Sequence, residues 1–159
     1  MGLYEGWQDT MFLEDLSNAG AMPSLELTMQ FAAQRQRVIA NNIANIDTPN
    51  FVQQDVSPAG FQELLDKAVR NRRMRTGGMT GALEWQPTSA FGKNSRGEFS
   101  IKPDSKSGAG GVLFHDRNNR DAVRLMQDLA ETQMAFRTAA NLYRVHRDII
   151  QSAIAERVF

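Results

Sequence analysis

Between Ala122 and Ile154 a seam recurs at alternating steps of three and four: Ala122, Leu125, Leu129, Gln133, Phe136, Ala140, Tyr143, Arg147, Ile150 and Ile154. That alternation is the heptad pattern of helices that pack along their length. A helix carrying it is roughly 55 Å long at ~1.5 Å per residue. An apolar stripe of this extent has to be covered. One other stretch is long enough to help. From Ser24, placed to cap a helix, apolar or small residues recur at Leu25, Thr28 or Met29, Ala32, Ile39, Ile43 and Ile46. The four long polar residues Gln34–Arg37 interrupt that stripe. Thr48 precedes Pro49 and is pushed toward extended geometry, so the helix should end near Asp47. It covers only part of the longer seam, and the remainder reads as a surface for partners.

The other segments follow from local signals. Residues 1–23 read as an arm that Pro23 stops, and 24–48 as the first long helix. Residues 49–75 hold a shorter helix, with Ser57 as N-cap, Pro58 at the first helical position, and Phe61, Leu64, Leu65, Ala68 and Val69 on one face. Glycines punctuate 76–114, where only "EFSI" (98–101) and "GVLF" (111–114) resemble strands. The last helix occupies 115–159, with Asn118 as its cap. The fold class is therefore mainly α. Long N- and C-terminal amphipathic helices form a coiled-coil-like pair, and the middle is flexible or a small β-hairpin.

Charge and composition narrow the function. The 159 residues fit one domain and hold 18 basic against 18 acidic side chains, so no global field favours nucleic acid or a membrane surface. Residues 1–34 contain no Lys or Arg and carry a net charge of −5. Lys67, Arg70, Arg72, Arg73 and Arg75 form a basic cluster without an acid between them. This ending matches the helix dipole, and its alternative use is docking an acidic protein or lipid surface. There is no cysteine, which excludes a disulfide framework and Cys-ligated zinc. No basic leader and no run approaching ~20 apolar residues is present, so neither a cleaved secretory signal nor a membrane span is expected. Eight methionines suit adaptable contacts between helices.

Candidate chemistry does not assemble. "FGKNS" (91–95) lacks the glycine and the hydroxyl residue that a phosphate loop needs, since Pro87 and Asn94 stand there. His115 and His146 lack carboxylates at metal-ligand spacing; the first reads as a junction residue, the second as a polar flank of the last helix. Glu14 and Asp15 fall in the arm. No catalytic residue, cofactor site, metal site or small-molecule substrate is nominated. Long terminal helices without a catalytic constellation suit an assembly subunit rather than an enzyme.

The stretch "ANNIANIDTPNF" resembles the N-terminal signature of bacterial flagellar rod, hook and junction proteins, an Asn-x-x-Asn-x-x-Thr-Pro-Gly-Tyr string that ends the first helix. Asn42, Asn45, Thr48 and Pro49 match, while Asn50 and Phe51 stand where Gly and Tyr are usual. Asn tolerates the left-handed backbone almost as Gly does. "DTPNFVQQDVSPAGFQELLDKAV" and "HDRNNRDAVRLMQDLAETQMAFRTAANLYRVHRDIIQSAI" are similar to the segments after the signature and at the C-terminus of the basal-body rod proteins, most of all those of the proximal rod. The alternative is its sister proximal-rod subunit. The resemblance implies a non-enzymatic structural subunit of the flagellar basal body, in the periplasmic space and exported by the flagellar type III apparatus without a cleaved signal. It implies self-association and packing with other rod proteins, with a FliE-like adaptor and with the export gate or ring. The helices would then form a torque-transmitting shaft around the export channel. Assembly contacts are expected at Ala32, Ile39, Ile43, Ile46, Leu125, Leu129, Phe136, Ala140, Tyr143, Ile150 and Ile154.

Overall fold

The computed structural model describes residues 19–105 and 122–156. Among them are three helices, α1 Met22–Ala44, α2 Pro58–Thr76 and α3 Ala122–Glu156. Four short strands accompany them: β1 Gln54–Asp55, β2 Phe91–Lys93, β3 Phe99–Ile101 and β4 Asp104–Ser105. Strand β1 pairs antiparallel with β4, and β2 with β3, with Phe91 opposite Ile101. The described chain is thus mainly helical with small antiparallel strand pairs.

Helix α1 begins earlier than the expected cap. Pro23 lies in its first turn rather than ending the arm, because the ring's fixed φ suits a position whose N–H has no helical acceptor. Ser24 is not the cap; its hydroxyl donates back to the Ala21 carbonyl at 2.7 Å. The helix also ends earlier than Asp47. Asn45 leaves helical geometry at φ −106°, ψ 15°, and turns follow it. Helix α2 starts where expected, with the Ser57 hydroxyl accepting the Gly60 N–H at 3.2 Å. It stops at Gly77, which takes the left-handed φ of 72° and donates its N–H to the Arg73 carbonyl.

Two contacts fix how the long helices run. Arg35 reaches Asp128 and Thr132, while the His146 ring lies against Gly20, 3.4 Å from where a Cβ there would sit. Rising numbers on one side meet falling numbers on the other, so α1 and α3 pack antiparallel. The α3 face turned toward α1 is Leu125, Leu129, Thr132, Phe136, Ala139, Tyr143, His146 and Ile150, each buried or half-buried. Gln133 and Arg147 are exposed, so the seam runs one residue earlier than expected at those points, through Thr132 and His146. Thr132 bonds Arg35 and the His146 ring packs on Gly20, and an apolar pattern counts neither. At ~1.5 Å per residue α1 spans roughly 35 Å and α3 roughly 52 Å. Residues 147–155 therefore run on past Gly20, and all but Ile150 are exposed.

The middle, expected to be flexible or a small hairpin, is folded over 79–105 and supplies part of the core. Its hairpin joins Phe91–Lys93 to Phe99–Ile101, so "EFSI" is a strand but its partner is "FGK"; "GVLF" lies outside the described residues. The turn is organised by Asn94, whose Oδ1 accepts the N–H groups of Arg96 and Glu98. The hairpin closes over Leu27, Phe31, Val56, Phe61 and Leu64, adding Phe91 and Phe99. Phe31 of α1 and Phe61 of α2 stack at 4.1 Å with 2° between their planes, and Phe91 meets both edge-on at 6.1 Å. Trp85 packs edge-on against Phe99, and Lys93 Nζ lies over its ring. Gln34, one of the residues interrupting the stripe, donates to the Phe99 carbonyl at 2.7 Å and accepts the Ile101 N–H at 3.0 Å.

Phe61→Ala should lower unfolding free energy by about 3–5 kcal/mol, because three ring neighbours lose their contact at once. Met134→Ala, at a 71% exposed position, should change it by less than about 0.5 kcal/mol. Urea denaturation of the whole chain, followed by helical circular dichroism, measures both.

Candidate functional site

The signature turn is built from the asparagines outward. Asn42 is 3% exposed, and its amide reads one residue of the returning chain. Its Nδ2 donates to the Gln54 carbonyl at 2.5 Å, and its Oδ1 accepts the Gln54 N–H at 3.0 Å. The side chain thus replaces a neighbouring strand for that residue, a role open only to a group with donor and acceptor side by side. Asn45 works locally: its amide donates at 2.8 Å to the Asn41 carbonyl, which also accepts the Asn45 backbone N–H at 3.1 Å. Thr48 N–H donates to the Asn45 carbonyl and Phe51 N–H to the Thr48 carbonyl, which carries the chain through Pro49. Asn50 takes φ 60°, the left-handed region that explains why Gly is usual there. Phe51 is half-buried, while Thr48, Pro49 and Asn50 are exposed.

Strand β1 then runs back along α1 and meets a second polar anchor. Arg35, 5% exposed, donates through Nη1 to Thr132 Oγ1 and through Nη2 to Asp128 Oδ1 at 3.3 Å, with Asp55 Oδ1 at 3.8 Å. Asn42 and Arg35 are two turns apart on one face of α1 and hold adjacent residues, Gln54 and Asp55. The sequence pattern showed four polar residues breaking a stripe, but only the fold shows what they bond.

Of the residues expected at assembly contacts, Ala32, Ile39 and Leu125 are buried within the chain itself. Ile43, Ile46, Leu129, Phe136, Ala140, Tyr143 and Ile150 are half-buried, and Ile154 is 40% exposed. A second set, which the heptad reading did not single out, lies uncovered on α3: Val123, Met126, Met134, Leu142, Val145 and Ile149, between 50% and 79% exposed. Val145 and Ile149 are four apart on one face, and Ile149 lies in the part of α3 that outruns α1, with Ile154 on the opposite face of the same stretch. The signal was present as apolar residues adjacent to the seam.

The basic cluster is mostly paired locally. Lys67 bonds Glu63 at 2.7 Å, Arg70 bonds Asp66, and Arg75 reaches Glu84 at 2.8 Å. The Lys67 hydrogen bond and charge hold the Glu63 carboxyl below its ordinary value. Arg72 is buried and donates to the carbonyls of Gly20 at 2.7 Å and Thr80 at 3.2 Å; burial lowers its pKa from the usual arginine value. Among the described residues no group of three His, Cys, Asp or Glu side chains could hold a metal ion, and no helix is long and apolar enough to cross a membrane. His115 lies outside the described residues.

Replacing Asn42 by alanine leaves Gln54 without its two partners. That should cost about 1–3 kcal/mol, whereas Asn45→Ala, at a half-exposed site, should cost under about 1 kcal/mol. Unfolding of the two purified variants in urea tests the order.

Comparison with known proteins falls on the same region. The family described as flagella basal body rod protein matches residues 25–51, which is α1 and the signature turn. The flagellar basal body rod protein FlgB of Borrelia hermsii is 31% identical over 112 residues, 70% of this chain and 78% of that protein. FlgB of Bacillus subtilis (strain 168) is 49% identical over a shorter stretch of 49 residues, 31% of this chain and 36% of that protein. The identity reaches well beyond the signature, across most of both chains in the first case. With that coverage, the chain belongs to the FlgB family of flagellar basal body rod proteins, and is a structural component of the rod rather than an enzyme.

Proposed function

We propose that this subunit polymerises in the proximal rod through the outer face of its terminal helices. The observation that carries the reading is the uncovered apolar face on α3, from Val123 to Ile149, with the helix's extension past α1. Apolar surface of this extent on a helix marks an interface, and the two methionines within it, Met126 and Met134, suit neighbours of differing shape. Half-buried Ile43, Ile46, Phe136 and Tyr143 keep part of their surface uncovered along the edge of the helix pair and contribute it to the contact. Neighbouring helices continue the three-and-four spacing as coiled-coil contacts, and a head-to-tail arrangement of this kind grows into a helical shaft. In this reading the shaft surrounds the export channel and carries motor torque. The subunit reaches the periplasmic space through the flagellar type III apparatus without a cleaved signal. It meets other rod proteins, a FliE-like adaptor and components of the export gate or ring.

The buried positions are poor tests, because a charge at Ala32, Ile39 or Leu125 would also break the chain's own packing. Leu129→Asp and Ile43→Asp share that defect in part. Ile149→Asp, at a 60% exposed position, removes apolar area from the outer face alone. Burying such a side chain contributes about 1.5–3 kcal/mol, so the variant should keep its denaturation midpoint and its export, yet fail to support swimming in soft agar. Normal swimming by cells carrying Ile149→Asp together with Val145→Asp would overturn the proposal.

A further inference from the structure

Between α2 and β2 the chain lays down a strand-like run with no strand beside it. Residues 82–88 continue without a turn or bend, and burial alternates along them. Leu83 and Trp85 are half-buried, while Ala82, Glu84 and Gln86 are exposed. A period of two is that of a strand lying on a core. Both inward residues pack against the phenylalanine cluster, and Trp85 meets Phe99 edge-on at 5.4 Å. No ladder accompanies this geometry. The backbone N–H and C=O groups of Leu83, Glu84, Trp85 and Gln86 make no hydrogen bond among the described residues.

The run is fastened at both ends. Arg75 donates to the Ala82 carbonyl at 3.5 Å and pairs with Glu84 at 2.8 Å. Beyond Gln86, Thr88 N–H donates to the Phe91 carbonyl at 2.7 Å, and Pro87 has no N–H to offer a ladder. A cleft of about 400 Å³ lies between this run and α2, lined by Leu64, Ala68 and Asn71 on one side and Trp85, Ala90 and Phe91 on the other. The charges around it are matched within the chain, Glu63 by Lys67 and Glu84 by Arg75.

We propose that an extended segment of another basal-body protein adds to residues 83–86 as a strand, main chain to main chain, with uncharged side chains over the cleft. A straight, pre-positioned edge is a template for such addition. Its donors and acceptors alternate at strand spacing, and an extended backbone presents the complementary row. Because the nearby charges already neutralise one another, the cleft suits an uncharged segment. A second copy of this chain fits less well. Every described strand is already paired, β1 with β4 and β2 with β3, so a copy has only its own residues 83–86 to give. Pairing those with themselves is two-fold and closes on a dimer, where a shaft needs contacts that go on growing. The inference rests on the chain's place in the rod and is independent of the α3 face.

Hydrogen exchange resolved to single residues by mass spectrometry tests this on the full chain, once isolated in dilute solution and once within purified basal bodies. In the isolated chain all four amides should exchange as open backbone does. In the basal body two alternate amides, Glu84 with Gln86 or Leu83 with Trp85, should exchange about a hundredfold more slowly, since only one edge of the run faces its partner. Equal slowing of all four amides would sink the idea, because burial without strand pairing has no period of two. Unchanged rates in the basal body would sink it as well. So would alternate slow amides already present in the isolated chain, where the pairing segment is the chain's own or a second copy's.

Discussion

A single buried guanidinium sets the geometry of the chain. Arg35 lies in α1 with only 5% of its surface exposed, where a cation is costly unless its donors are satisfied. Its two Nη groups find partners on two other elements, Thr132 and Asp128 on α3 and Asp55 on β1, while Nε meets no acceptor among the described residues. Sliding α3 by one residue would move those groups by about 1.5 Å and turn them by about 100°. Ala32, Ile39, Leu125 and Ala139, the buried apolar residues of the same interface, tolerate such a slip far better. The apolar residues supply attraction and the cation supplies register. That register decides which part of α3 runs on beyond α1.

The same logic continues along α1 in both directions. Asn42 stands seven residues after Arg35, and each holds one of two consecutive residues of the returning strand, Gln54 through its backbone and Asp55 through its carboxylate. Gln34 clamps the backbone of β3 from the adjoining face. Polar side chains on α1 therefore steer both segments that leave the helix pair, and the stacked phenylalanines close behind them. The signature turn is thus tied to the chain's own strand through Asn42, while Asn45 finishes the helix. The exposed residues Thr48, Pro49 and Asn50 are the part of the motif the chain leaves uncovered.

Much of this was legible in the sequence where one residue type answers a local need. Ser57 and Pro58 start α2, Gly77 ends it, and Asn50 takes the left-handed backbone, all for reasons that local chemistry states. The two long helices follow from apolar spacing. Legibility failed where distant residues decide. Phe91 sits among glycines and prolines and reads as loop, and Phe99 reads only as part of a short strand in a flexible middle, yet both are buried against Phe61, some thirty to forty residues away. The seam of α3 was displaced at Gln133 and Arg147 because its true members Thr132 and His146 are polar. Pro23 read as a stop because a proline ends one segment and begins another with equal local justification. The arm before Ala19 and the capping residue Asn118 fall outside the described residues.

The arrangement of the core explains why so much apolar surface stays outside it. Helix α1 is buried on two faces, with Leu27 and Phe31 under the hairpin and α2, and Ala32, Arg35 and Ile39 against α3. Helix α3 makes its principal contacts with α1 alone. A helix roughly 52 Å long packed on one side by a helix of roughly 35 Å necessarily keeps an open side and an overhang. An ordinary globular chain would shorten such a helix or make its outer face polar. Here Val145 and Ile149 remain apolar and more than half exposed, while the face toward α1 carries Thr132 and Asp128, which Arg35 of α1 holds in register. A subunit of a shaft needs that division. Rigid internal registry lets every copy present the same outer stripe at the same angle, and an interface repeated many times accumulates any error in that angle.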